Sequence, residues 1–216
     1  MDTSKQIHLN GNYSHLSTYY RFHSKIYDYT RWMFLFGRKE IISHLPNSSG
    51  NLNILEIGCG TGFNLIQLAY RYPKAIITGL DLSDSMLAAA HKNIAQTNMS
   101  NRISLKNEAY GPGLKLPDDF DIILCSYSLS MMGSQKTGII DQIKTNLNSD
   151  GLIAVVDFHN SPFSWFRRWM QINHVDMNGS LYKYLISLYT PNHISTKSVY
   201  GNLWSYFIFT GRVSDS

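Results

Sequence analysis

The hydrophobic pattern of this chain switches repeatedly between two periods. Residues 52–57 (L-N-I-L-E-I) form a short apolar run ending in glycines, which predicts a buried strand. Phe63, Leu65, Ile66, Leu68, Ala69 and Tyr72 follow at helical spacing until Pro73 stops them. Residues 75–82 predict a second strand. Ser83 is placed to cap a helix reaching about residue 97, with Asp84 in its first turn. A third strand is expected over 102–106 and a fourth over 120–126, separated by the Gly- and Pro-bearing loop 110–119. Ile139, Ile140, Ile143 and Leu147 line one face of a further helix, closed by Ser149-Asp150-Gly151. A fifth strand follows over 152–158. Apolar strands alternating with amphipathic helices specify a doubly wound α/β architecture, a mostly parallel sheet covered on both faces. From Pro191 the pattern changes: Gly201-Asn202 separates two β-rich runs, which predicts a hairpin and one strand antiparallel to the rest.

Composition adds three constraints. Of the 216 residues, 44% are hydrophobic and 16% charged, so one well-packed domain is expected rather than a disordered chain. The two cysteines, Cys59 and Cys125, imply no disulfide framework and are expected as buried thiols. No run approaches the ~18 apolar residues of a spanning helix. The opening M-D-T-S-K-Q-I-H-L-N lacks a secretory apolar core. A cytoplasmic protein is expected, with any membrane contact peripheral at the inner surface. The formal charge of +4 permits anionic partners without a basic stripe, so nucleic acid is not expected. Aromatic residues are unevenly spread: nine lie in 1–36, thirteen in 151–216 and six between. The single domain therefore divides into an N-terminal helical lid (1–46), a lean core (50–160), a helical insert (161–190) and a terminal hairpin (191–216). Oligomeric state is not legible.

The chemistry is concentrated in E-I-G-C-G-T-G at 56–62, straight after the first strand and opening a helix. Glycines there let the backbone turn tightly and approach a ligand, and the helix N-terminus offers N–H donors. Nineteen residues beyond Gly62, Asp81 stands at the end of the second strand, where a carboxylate can accept both hydroxyls of a ribose. A dinucleotide site wants G-x-G-x-x-G. This chain has Gly58, Gly60 and Gly62 instead, preceded by Glu56, which repels a pyrophosphate and suits an ammonium.

This combination resembles the class I S-adenosylmethionine (S-adenosyl-L-methionine)-dependent methyltransferases, whose fold is Rossmann-like. The resemblance implies that Leu82 and Met86 pack on the adenine, that Glu108 and Ala109 lie at its edge, and that Ser126 and Tyr127 lie beside the transferred methyl. Asn107-Glu108-Ala109 replaces the family's usual G-D-A. A narrower likeness is carried by I-Y-D-Y-T-R-W-M-F-L-F-G-R (26–38), S-Y-S-L-S-M-M (126–132), V-D-F-H-N-S-P (156–162) and F-R-R-W-M-Q-I-N-H-V-D-M-N-G (166–179). These segments look like the methyltransferases that build betaine lipids, which trimethylate the amino group of diacylglyceryl-homoserine.

The expected activity is N-methylation of an amine, either a lipid headgroup or a small amino-acid-like amine. The rivals are O- or C-methylation of a small aromatic or quinone-like metabolite, and a non-catalytic subunit that binds S-adenosylmethionine. Tyr27 and Tyr127 are candidates to line the methyl-transfer space, Tyr27 also touching the cofactor. His159 is a candidate proton acceptor or a structural histidine. Arg38 is a candidate partner for the cofactor carboxylate or a solvated arginine. From the likeness alone, Asn173 and His174 are carried over as substrate-binding residues. Basic residues interleaved with aromatics, around Trp32–Phe36 and Trp165–Met170, suit either an amphipathic surface on anionic lipid or a lid over the pocket.

Overall fold

A computed structural model of the protein describes residues 34–111, 114, 116 and 119–213. Tyr27 and most of the expected N-terminal lid lie outside the described residues. Helix α1 (Arg38–Ser43) leads into strand β1 (Asn53–Ile57), helix α2 (Phe63–Arg71) and strand β2 (Ile76–Leu80). Helix α3 (Asp84–Ala95), strand β3 (Ile103–Lys106) and strand β4 (Phe120–Ser126) follow. Two short 3-10 turns, Leu129–Met131 and Gly133–Gln135, precede helix α4 (Lys136–Asn146) and strand β5 (Leu147–Asn160). The remaining elements are helices α5 (Ser164–Ile172) and α6 (Ser180–Leu188) and strands β6 (Tyr189–Val199) and β7 (Trp204–Val213).

One seven-stranded sheet has the order β3-β2-β1-β4-β5-β7-β6. All pairings from β3 to β5 are parallel, and β7 runs antiparallel to both β5 and β6. Alternate residues of the central strands feed two cores. Ile54, Ile122, Leu124, Ala154 and Val156 pack with α1, α2 and α3. Leu55, Ile123, Ile153 and Val155 pack with α4 and α6. Cys59 belongs to the first core and Cys125 to the second, both buried and neither in a disulfide. Among the described residues no helix is long and apolar enough to cross a membrane.

Ser83 caps α3 as its position predicts, its hydroxyl accepting the Met86 N–H at 3.4 Å. The junction of α4 and β5 corrects the sequence reading. Leu147 is not on the helical face; its backbone is extended (ψ 139°) and it pairs with Phe120. The next registered pair is Ile122 with Leu152, so Ser149-Asp150-Gly151 lies inside an irregular stretch of strand rather than at a helix end. The backbone doubles back so tightly that a Cβ at Gly151 would stand 2.8 Å from the Asn148 carbonyl oxygen and 2.9 Å from that of Phe120. The β6–β7 link is also longer than a two-residue turn. Val199 pairs with Trp204, and Tyr200, Gly201 and Asn202 between them all have positive φ.

Candidate functional site

The carboxyl ends of β1 and β4, the start of α3 and the segment around α1 surround a cavity of about 790 Å³. The 56–62 turn forms its floor. Gly58, Gly60 and Gly62 have φ of 75°, 53° and 77°, the left-handed region that side chains disfavour. The Gly58 and Cys59 N–H groups both donate to the Leu80 carbonyl, at 2.8 and 2.9 Å, which ties the turn to the end of β2. Gly62 has a separate reason to be glycine: a Cβ there would stand 3.2 Å from the Ala90 Cβ of α3.

Five of the expected residues share the cavity wall: Arg38, Glu56, Gly58, Met86 and Ser126. Glu56 is buried, and its Oε1 accepts a 2.6 Å hydrogen bond from Asn64 Nδ2, in the first turn of α2. Asn64 and Phe63 are wall residues that sequence reading missed. Arg38 lies over the Phe63 ring, its guanidinium carbon 4.3 Å from the centroid. Asp81 is fixed by two backbone donors, Gly60 N–H to Oδ2 at 2.8 Å and Ser83 N–H to Oδ1 at 2.9 Å. A carboxylate has about four lone-pair sites, so capacity remains for two ligand hydroxyls.

The other expected residues stand elsewhere. Leu82 and Glu108 are exposed and Ala109 is half-buried, none in the wall. Neighbouring Asn107 donates to Asp84. Tyr127 is buried with φ 56°; its hydroxyl donates to the Phe36 carbonyl at 2.9 Å and its ring meets Phe158 edge-on at 4.8 Å. It ties the segment before α1 to the sheet, and burial raises its pKa. His159 is half-buried between Tyr182 and Phe207, ring centroids 5.2 and 6.2 Å away, and burial lowers its pKa. Asn173 donates to the Trp169 carbonyl at 2.7 Å and His174 has φ 58°, so both close the end of α5.

Behind the site lies a group that sequence reading set aside. Asp157, fully buried on β5, accepts the Ser130 N–H at 3.0 Å and the Phe158 N–H at 2.8 Å. Burial outweighs these hydrogen bonds and pushes its pKa up to about 6. Between its ordinary value near 4 and about 6, the folded protein binds more protons than the unfolded chain. Stability from this group therefore falls as pH rises through that window. Relative to Asp157→Asn, the parent should gain stability on the order of a few kcal/mol as pH is lowered from 7 to 4. Thermal melts of both proteins across that range check it; parallel curves would remove Asp157 as the cause.

A family model described as a methyltransferase domain matches residues 48–205. The chain belongs to the class I S-adenosylmethionine-dependent methyltransferases. The malonyl-[acyl-carrier protein] O-methyltransferase of Bacillus cereus is 28% identical over 127 residues, 57% of this chain and 44% of that protein. The trans-aconitate 2-methyltransferase of Delftia acidovorans is 28% identical over 116 residues, 54% of this chain and 41% of that protein. The match thus spans less than half the length of these curated relatives. The structure of the N-methyltransferase NodS from Bradyrhizobium japonicum, with S-adenosyl-L-homocysteine, superposes with TM-score 0.66 at 19% identity. It covers 82% of this chain and 86% of NodS. A methyltransferase from Geobacter sulfurreducens, also with S-adenosyl-L-homocysteine, gives TM-score 0.65 at 14% identity, covering 82% and 90%.

The methyltransferase site fits this cofactor on its own geometry. Gly58 lies in the wall and has no room for a side chain, since a Cβ there would stand 2.7 Å from the Ser128 Cβ, so the bare backbone faces the cavity. Glu56, oriented by Asn64, would take the ammonium of the amino-acid tail. Asp81, just outside the lining residues at the end of β2, would accept the ribose hydroxyls, and Met86 in the wall would offer an apolar surface to the adenine. When bound, S-adenosylmethionine supplies a methyl group activated on a sulfonium. The chain's own work is to hold the nucleoside, orient the acceptor and exclude water. Asp81→Ala removes charge-assisted hydrogen bonds of about 1.5–3 kcal/mol each, so affinity for S-adenosylhomocysteine should drop at least about tenfold. Calorimetry showing equal affinity would remove Asp81 from the site.

Proposed function

We infer that the chain N-methylates an amine. The reading rests on the residues beside Ser126, the wall position at the end of β4. Residues 126–132 and 156–161 contain the buried carboxyl group of Asp157, the rings of Tyr127 and Phe158, and neither lysine nor arginine. A carboxylate acceptor would meet Glu56 in the wall, with Asp157 buried behind it and no cation from these segments. The wall's two cations belong to α1, and Arg38 is held over Phe63, next to the Asn64 that binds Glu56. An amine arrives as an ammonium that suits this field, and gives its proton to solvent before attack, a loss that burial favours and the nearby carboxylate opposes. A methylated ammonium product remains matched to carboxylate and ring faces. Among amines, a lipid headgroup is the class suggested by the betaine-lipid likeness of 126–132, 156–162 and 166–179.

The test is a panel of acceptors with labelled S-adenosylmethionine, read by mass spectrometry. It includes homoserine, ethanolamine, vesicles containing phosphatidylethanolamine, trans-aconitate and a malonyl thioester. Methyl groups on nitrogen support the reading. Formation of a methyl ester, with all amines inert, overturns it in favour of O-methylation.

A further inference from the structure

Among the described residues, the sheet and its helices leave one broad aromatic surface uncovered. Eleven large hydrophobic residues are exposed among the described residues, and six of them belong to this surface. Helix α5 presents Trp165, Trp169 and Ile172 at i, i+4 and i+7, which are 62%, 46% and 67% exposed. The adjoining face, Phe166 and Met170, is already buried in the core. The stripe on α5 packs on this face through Phe166 and leaves most of its own area in solvent. It adjoins the strip of chain that reaches the pocket: Trp169 meets half-buried Phe34 at 6.3 Å, both Phe34 and exposed Phe36 rest on fully buried Trp204, at 5.8 and 6.0 Å, and Phe36 meets exposed Tyr200 at 5.6 Å. Leu35 and Gly37, in the same strip of chain, line the cofactor cavity.

Charge follows the same surface. The segments that carry it are 34–40, 158–175 and 197–206. Together they hold five basic residues (Arg38, Lys39, Arg167, Arg168 and Lys197) and one acid, Glu40. Glu40 is paired with Lys197. The excess of four equals the formal charge of the whole chain. Arg167 is anchored to the Ser161 carbonyl, whereas Arg168 is exposed among the tryptophans.

We propose that this aromatic face docks on an anionic lipid bilayer, with α5 lying in the interface and the mouth of the cofactor cavity turned toward the lipid. Tryptophan and isoleucine on one helix face with arginine between them is the arrangement that an interfacial helix requires. Tryptophan suits the headgroup layer because one end of its ring is apolar and the other polar. The charge also selects this occupant over the chain's own N-terminal segment. Residues 1–33 carry four lysines and arginines against two aspartates, so they are basic as well. The docking does not depend on whether nitrogen or oxygen accepts the methyl group.

The full chain should sediment with vesicles of phosphatidylcholine mixed with phosphatidylglycerol, and not with phosphatidylcholine alone. Binding should weaken as salt is raised. The pair Trp165→Gln with Ile172→Gln, and separately Arg168→Glu, should each reduce partition about tenfold or more. Circular dichroism and S-adenosylhomocysteine binding monitor the fold; if the double variant unfolds, Arg168→Glu at its exposed position decides. Acrylamide quenching of the lipid-free chain, compared with Trp165→Phe, should find Trp165 accessible. Absence of vesicle binding, or equal binding by the variants, overturns the proposal. So does a shielded Trp165; sedimentation velocity then tells whether a second copy or residues 1–33 cover it. None of these readouts involves methyl transfer, so failure here and failure of the N-methylation reading are separate results.

Discussion

Gly58→Val should lose S-adenosylhomocysteine affinity by about a hundredfold or more, because two costs of roughly 1–2 and 1–3 kcal/mol fall on one residue. The first is conformational. Gly58 sits at φ 75°, where a β-branched residue is an outlier. The second is steric. Its first side-chain atom would stand 2.7 Å from the Ser128 Cβ, and Ser128 cannot retreat easily. It opens the turn whose Ser130 N–H is held by buried Asp157. The turn can adapt only by pulling Gly58 and Cys59 away from the Leu80 carbonyl, which moves the cradle itself. Titration calorimetry reads the affinity, and a denaturation curve shows whether the fold survives. Gly138→Ala is the matched control. A Cβ there meets nothing within 4 Å and lies in the first turn of α4, so it should stabilise by about 0.5–1 kcal/mol without touching affinity. Wild-type affinity in Gly58→Val would place the cofactor elsewhere.

Trp204→Ala should destabilise the domain by about 3–5 kcal/mol, the range for emptying a fully buried large aromatic site. Trp204 is 0% exposed at the head of β7, with ring contacts to Phe158 at 5.1 Å and Phe34 at 5.8 Å. Its indole N–H has no hydrogen-bond partner among the described residues, so Trp204→Phe forfeits volume but no hydrogen bond. That variant should cost under about 1.5 kcal/mol. Urea midpoints at constant slope separate the two. Equal losses would mean that the N–H is engaged after all.

The parts of the site legible in the sequence are those that one short segment dictates. Three left-handed glycines and Glu56 are requirements of a single turn, and Asp81 and Ser83 of the next strand's end. The five core strands announce themselves by apolar runs for the same local reason. What stayed hidden depends on partners far along the chain. Gly37, at φ 76°, is fixed by the Tyr206 ring, which a Cβ would meet at 2.6 Å. Arg38 gains its place from Phe63, and Gly58 its tight neighbour from Ser128. Leu147 continued a helical hydrophobic pattern, yet pairing with Phe120 drew it into the sheet. Glu108 fell at the family's motif position, but the chain there leaves its side chain exposed. Asn64 had a signal: an amide eight residues after Glu56 on the first helical turn can reach back to a carboxylate at the strand end.

The place of β7 in the sheet also sets the timing of assembly on the ribosome. The strand with the later sequence sits between two earlier ones, so β5 has no permanent neighbour on that side until residues 204–213 are made. From Asn160 to Trp204 is 44 residues, a delay of about 2–9 s at ordinary synthesis rates. During that interval the long apolar β5 presents unpaired N–H and C=O groups along one edge, the kind of template on which nascent chains join one another. A nascent methyltransferase domain therefore depends on shielding of β5, by a chaperone or by transient local structure, for those seconds.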